Sequence, residues 1–170
     1  MWSHFSKAPC NQKGWWYVLP KDPIKFFNDF LSKENFNLHE AVPEYEKFKF
    51  FIDYDYYGTI DVYSVKKQLD EEIGSTSLMA TNIRPEKTGI HLIYPELHVT
   101  VVEAIKLVKR LNNPYIDPVP YSRSIRTIYS SKDYGETDFY TPEDGGRDAE
   151  TMIRYSIFIL QSPSELPVYV

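Results

Sequence analysis

The sequence predicts an α+β fold, with helices packed on a mainly antiparallel or mixed sheet. Three observations carry this. Short runs of aromatic and β-branched residues alternate with stretches of helical period. Their order is strand, helix, strand, helix, strand, strand, helix, then strands, without the strict β-α alternation of a parallel sheet. And 170 residues suffice for one domain with a real core.

Residues 1–14 are polar and read as irregular. WWYVL at 15–19 is a short strand. Asp22-Pro23 opens a helix, with Asp as N-cap and Pro in the first turn. Ile24, Phe27, Phe30 and Leu31 recur at helical spacing to about residue 32. Residues 40–46 form a proline-containing link. KFKFFIDYD at 47–55 is the strongest strand signal, and Gly58 breaks it. Residues 61–73 form a helix with Val62, Val65, Leu69 and Ile73 on one face and Gly74 as C-cap. SLMATN at 77–82 and IHLIY at 90–94 are strands joined by a turn-like 84–89. Thr100 caps a helix whose apolar face is Val101, Ala104, Ile105, Val108 and Leu111, ending at Asn112-Asn113-Pro114. A strand follows at 124–128. Ile125 and Ile128 cannot share one regular strand face, so a bulge or two-sided burial is expected. Arg126 then lies close to the core, where an arginine usually has an anionic partner, a phosphate being one candidate. Residues 133–150 are an acidic, glycine-bearing loop or hairpin, and 152–160 a closing strand. Residues 162–170 read as a linker or trimmed tail.

The net charge is −5, which argues against a surface that grips nucleic acid everywhere, because such binding is driven by phosphate neutralisation. A local basic groove beside an acidic metal site is compatible with it. The single cysteine, Cys10, excludes an internal disulfide and a cysteine-built zinc site. No apolar leader and no run approaching ~18 apolar residues is found, so an intracellular, reducing location and no membrane partner are expected. Aromatics are 16% of the chain, enough to fill the core and leave some rings for flat ligands.

Three stretches carry chemistry. In FFIDYD, Asp53 and Asp55 sit two apart, so a strand points both carboxylates to one face. Two like charges there repel unless solvent or a cation relieves them. A divalent metal does so, and Mg²⁺ takes one or two carboxylates plus phosphate and water. The same pattern describes a strand end with two surface acids, and it occurs in glycosyltransferases, nucleases and phosphatases. In RPEKTGIHLIY, His91 lies inside an apolar strand after Lys87, Thr88 and Gly89. It reads either as a satisfied core histidine or as a donor to a phosphate oxygen. In YIDPVPYSRSIRTIYSSK, Asp117 precedes Arg123, Arg126, Ser130, Ser131 and Lys132. This is a cationic, hydroxyl-rich strip in an acidic protein, or else a charged strand edge.

In this order, the three stretches resemble the archaeo-eukaryotic primase superfamily, above all the primase domains of large DNA viruses of the poxvirus primase-helicase type. The motifs are Phe50-Phe-Ile-Asp-Tyr-Asp, then Lys87-Thr-Gly-Ile-His91, then Asp117-Pro-Val-Pro-Tyr121 with Ile125-Arg126 and Ser130-Ser-Lys132. The likeness covers roughly residues 38–132. Gly89 stands where the family often has Ser, and Pro120 interrupts the usual Val-Tyr pair. The resemblance implies a single primase-type domain: N-terminal α/β module elements over about 1–45 and a catalytic core related to the RNA-recognition fold over about 46–160. It implies template-directed nucleotidyl transfer, with attack of a 3′-hydroxyl on the α-phosphate of an NTP or dNTP. Asp53, Asp55 and Asp117 would hold two Mg²⁺ or Mn²⁺ ions. His91, Arg126, Lys132, Lys87 and Ser130 would bind the nucleotide, and Arg123 and Arg84 the nucleic acid. Single-stranded DNA template and a replicative helicase are the implied partners. Another two-metal nucleotidyltransferase, a nuclease, or a non-catalytic primase-like module are the alternatives.

Overall fold

The structure, a computed structural model, describes residues 3–6, 15–33, 35–132 and 138–160. Cys10 and the tail at 162–170 lie outside the described residues, as do 133–137 of the acidic loop. Two antiparallel sheets of four strands form the frame.

The first sheet contains β1 (His4–Ser6), β2 (Trp15–Tyr17), β3 (Leu38–Ala41) and β7 (Ser124–Arg126), in the order β2-β1-β3-β7. Two expectations are corrected here. The start of the chain was expected to be irregular, but His4–Ser6 is a strand; three residues are too few to show a period. The link expected at 40–46 begins inside β3, whose Leu38, His39 and Glu40 are all buried. Its polar composition hid it, because a histidine and a glutamate take core positions. Helix α1 (Pro23–Leu31) covers the face carrying His4, whose ring meets those of Phe26 and Phe27. Asp22 caps α1 by accepting from Ile24 N–H at 3.1 Å, as expected.

The second sheet contains β4 (Phe48–Tyr56), β5 (Leu78–Ile83), β6 (Thr88–Val99) and β8 (Thr141–Pro142), in the order β4-β6-β5-β8. Helix α2 (Val62–Ile73) connects β4 to β5. It is capped by Asp61 at its start and by Gly74 at its end, at φ 79°. Left-handed backbone of that kind suits glycine. Helix α3 (Val101–Leu111) follows β6 and opens with a full capping box between Thr100 and Glu103. Side-chain alternation gives the sheet two distinct faces. Phe50, Ile52 and Tyr94 lie on one of them, fully buried. There the Asp70 carboxylate of α2 adds to burial in pushing the Tyr94 phenol upward. Phe51, Asp53 and Asp55 lie on the other, opposite Ile93, His91 and Gly89 of β6. After α3 the chain returns beside the free edge of β4 and forms a single antiparallel bridge, Tyr54 with Ile116.

β7 belongs to the first sheet, so the chain crosses back after building the second. The strand expected to run to 128 stops at Arg126, and the chain turns through Tyr129 at φ 61°. That bend lets Ile125 and Ile128 both be buried, without a bulge. The closing strand expected at 152–160 is instead α4 (Ala149–Arg154) followed by an extended, irregular segment. Its apolar run TMIRYSIFIL has no period long enough to separate strand from buried helix. Asp148 decides it, capping the helix by accepting from Thr151 N–H at 2.7 Å. Beyond α4 the buried Glu40 carboxylate takes the Ile157 N–H and the Ser156 hydroxyl, both at 2.9 Å. This bolts the last segment to β3. No helix among the described residues is long and apolar enough to cross a membrane.

Candidate functional site

Asp53 and Asp55 project from the face of the second sheet that is turned away from α2. Asp117 reaches them through the backbone. Its N–H bonds the Asp53 carbonyl at 2.8 Å, and Asp55 N–H bonds the Tyr115 carbonyl at 2.8 Å. A 3-10 turn, Val119–Ser122, follows. Tyr121 pins it: the phenol donates to the Phe51 carbonyl, and its ring packs on Phe51 at 4.8 Å. Burial, helped by the Asp53 charge, pushes this phenol up, so it stays a donor. Each of the three acids has a carboxylate oxygen within 4.8 Å of the others. Sixty-odd residues of separation are thus closed by two main-chain hydrogen bonds and one tyrosine.

Around the acids lie a lysine, a histidine and an arginine. Lys87 Nζ is 3.0 Å from Asp55 Oδ1. His91 Nε2 is 3.3 Å from Asp53 Oδ1, but off hydrogen-bonding geometry, so this buried oxygen has no hydrogen-bond partner among the described residues. An orphaned buried carboxylate oxygen is costly. Together with a set of three hard oxygen donors it fits a divalent cation of the Mg²⁺ or Mn²⁺ type. Asp53, Asp55 and Asp117 are the residues able to hold one.

Arg126 approaches from the first sheet. Its NH1 donates to the Asp138 carbonyl at 2.9 Å, and the guanidinium lies over the Tyr140 ring at 4.9 Å. Its partners here are that carbonyl and Tyr140, met through the ring face and the phenol oxygen. His91 stacks on that same ring, with centroids 3.6 Å apart and an interplanar angle of 14°. Between the sheets a cavity of about 10 Å³, lined by Glu40, His91, Arg126 and Tyr155 among others, is at the lower limit for one water. Any larger ligand must sit over the acids, outside this gap.

The remaining residues expected at a site are placed differently. Ser130 is fully buried; its hydroxyl accepts from Leu38 N–H at 3.0 Å and pairs with Thr127. It clasps β3, a structural task that corrects its expected role toward a nucleotide. The reason is the turn at Tyr129, which swings residue 130 inward. Arg84 pairs with Asp138 at 3.2 Å and shares that carboxylate with Asn82. Arg123 and Lys132 are exposed, Arg123 at the junction of the 3-10 turn and β7.

Sequence reasoning missed Tyr140 and Asp138, which sit in the stretch read as an acidic loop or hairpin with no site residue in it. The available signal was Thr141-Pro142: a proline after a β-branched residue fits an edge strand, and β8 is one, paired to β5. Tyr140 also accounts for Gly89. A Cβ at position 89 would overlap the Tyr140 hydroxyl and lie 3.0 Å from Cζ. Compared with protein-family models and with curated proteins, the chain matches none.

Proposed function

We propose that this protein is a primase-type nucleotidyltransferase, joining an NTP or dNTP to a 3′-hydroxyl on a single-stranded DNA template. The observation that carries the reading is the meeting of Asp53, Asp55 and Asp117 with His91 beside them and Arg126 one ring away. A nuclease needs the acids but not a converging imidazole and guanidinium. Strand and helix order supports the same reading. β4-α2-β5-β6-α3 and the bridge at Ile116 follow a split β-α-β pattern, in keeping with a core related to the RNA-recognition fold.

Bound divalent ions would supply charge stabilisation at the transferred phosphate and a more acidic 3′-hydroxyl. The chain's own residues do the rest. The carboxylates fix where positive charge can sit. His91 and Arg126 offer N–H donors to triphosphate oxygens. Tyr121 and the 115–117 segment keep Asp117 in register with β4.

The Lys87–Asp55 ion pair favours a second reading. A lysine that already neutralises one acid suits a non-catalytic module which uses the same surface to bind nucleic acid or a replicative helicase. Nucleotide incorporation on primed and unprimed templates, with Mn²⁺ or Mg²⁺, separates the two. Incorporation is expected for the native chain and none for Asp53→Ala/Asp55→Ala, with the fold intact by circular dichroism. Undiminished incorporation by the double variant would remove the metal assignment. No incorporation by the native chain, with nucleic-acid binding retained, selects the second reading.

A further inference from the structure

Tyr140 touches His91 and Arg126 while belonging to none of the three motifs. Its ring lies flat on the His91 imidazole and under the Arg126 guanidinium, and the residue is 5% exposed. It is held on all sides. Its carbonyl accepts from Tyr129 N–H at 2.9 Å, the next residue pairs with Thr81 of β5, and the ring and hydroxyl fill the space left by the missing side chain of Gly89. Burial, then the charges of Asp53 and Asp55, push its phenol up, so the ring stays neutral beside the acids. A long guanidinium side chain loses several rotors when it binds an anion; stacking on a fixed ring removes that freedom beforehand.

We infer that Tyr140 is the positioning residue for the anion seat of this site: one ring, locked over Gly89, sets both His91 and Arg126 toward the phosphates of a nucleoside triphosphate. The inference rests on the nucleotidyl-transfer reading for the identity of the ligand. Without the ring, His91 can rotate about its Cβ–Cγ bond and Arg126 keeps, among the described residues, its bond to the Asp138 carbonyl. Both then bind phosphate less well, although neither has been altered.

Calorimetric binding of a nucleoside triphosphate with Mn²⁺ tests this. Tyr140→Leu is expected to raise Kd about tenfold, and Tyr140→Phe to restore it to within about threefold. Arg126→Met is expected to cost about as much, and Arg126→Met/Tyr140→Leu no more than the worse single change, because the two act as one unit. In incorporation assays KM follows Kd, with kcat changed less than about twofold. Gly89→Ala, which pushes the ring from below, is expected to raise Kd about tenfold, and in the Tyr140→Phe background, where the overlapping hydroxyl is gone, about threefold or less. This pair decides the matter if Tyr140→Leu does not fold. A Tyr140→Leu protein that binds the triphosphate as the native chain does overturns the positioning role alone, as do additive effects with Arg126→Met. A native chain that binds no triphosphate overturns the nucleotidyl-transfer reading, and this inference with it.

Discussion

Two buried titratable groups oppose each other in this fold, and their balance can be measured. Glu40 is enclosed under β3, and burial raises its carboxyl from 4.5 to about 7, against the pull of its hydrogen bonds from Ile157 and Ser156 and of the Lys49 charge. Lys49 is itself lowered by burial. His4 is fully buried among Phe26, Phe27 and Phe158. Burial lowers it from 6.5 to about 3, and its Nε2 has no hydrogen-bond partner among the described residues. The signs differ. Folded Glu40 holds a proton that the unfolded chain releases above 4.5, so its contribution is full below that pH and is lost as pH rises to about 7. Folded His4 refuses a proton that the unfolded chain takes up below 6.5, so its contribution is full above that pH and is lost as pH falls toward 3. In the shared window, pH 4.5 to 6.5, each is worth about 3 kcal/mol and they cancel. Urea unfolding at half-unit pH steps reads this out. Taken as differences from the native protein, which remove the other carboxylates, Glu40→Gln is expected to leave stability rising by about 3 kcal/mol across the window. His4→Phe is expected to leave it falling by about the same amount. Difference profiles that are flat for both variants would refute the reasoning, because neither group would then be carrying its proton as burial dictates.

Further outcomes follow from single contacts. Asp53→Asn removes one of three converging charges; its melting temperature without metal is expected to rise, and Mn²⁺ is expected to raise that of the native protein but not that of the variant. Tyr121→Phe leaves the Phe51 carbonyl without its donor and is expected to cost about 1–2 kcal/mol in urea unfolding, with weaker Mn²⁺ binding as the 115–117 segment loosens. Ser130→Ala orphans the Leu38 N–H and is expected to cost about 1–2 kcal/mol while nucleotide affinity stays put, which distinguishes a clasp from a ligand contact. Gly74→Ala forces a side chain into left-handed backbone and is expected to cost about 1 kcal/mol in thermal or urea unfolding.

Apart from β8, the strands of the second sheet were legible, as were helices α1, α2 and α3, because their signals are local. Asp22, Asp61 and Thr100 are side chains that satisfy the first N–H groups of a helix, and the alternation around Asp53 is a strand property. The convergence of Asp117 was not readable from spacing, since it depends on hydrogen bonds between residues far apart in sequence. Of the first sheet, β2 and β7 were read, whereas β1 and β3 were hidden. Its strands are three or four residues long, and buried His4, His39 and Glu40 occupy positions where a pattern reader looks for apolar side chains. Tyr140 was hidden for another reason: its meaning comes from Gly89, far away along the chain, and a glycine announces only that something else will occupy its space. Ser130 went astray at Tyr129, whose left-handed backbone nothing in the composition foretells.

The carboxylates and the guanidinium are mounted on separate frames. Asp53 and Asp55 are carried by β4 and Asp117 by the segment joined to it through the backbone, whereas Arg126 is carried by β7 and meets the second frame through the Asp138 carbonyl and the Tyr140 ring. A small hinge between the frames would leave the acids in formation yet change how far their charge lies from that of Arg126. Reach between opposite charges would thus follow inter-sheet tilt, and residues 156 and 157, tied to β3 through the Glu40 carboxylate and to β4 through the Lys49 N–H bond to the Ile157 carbonyl, join the two frames.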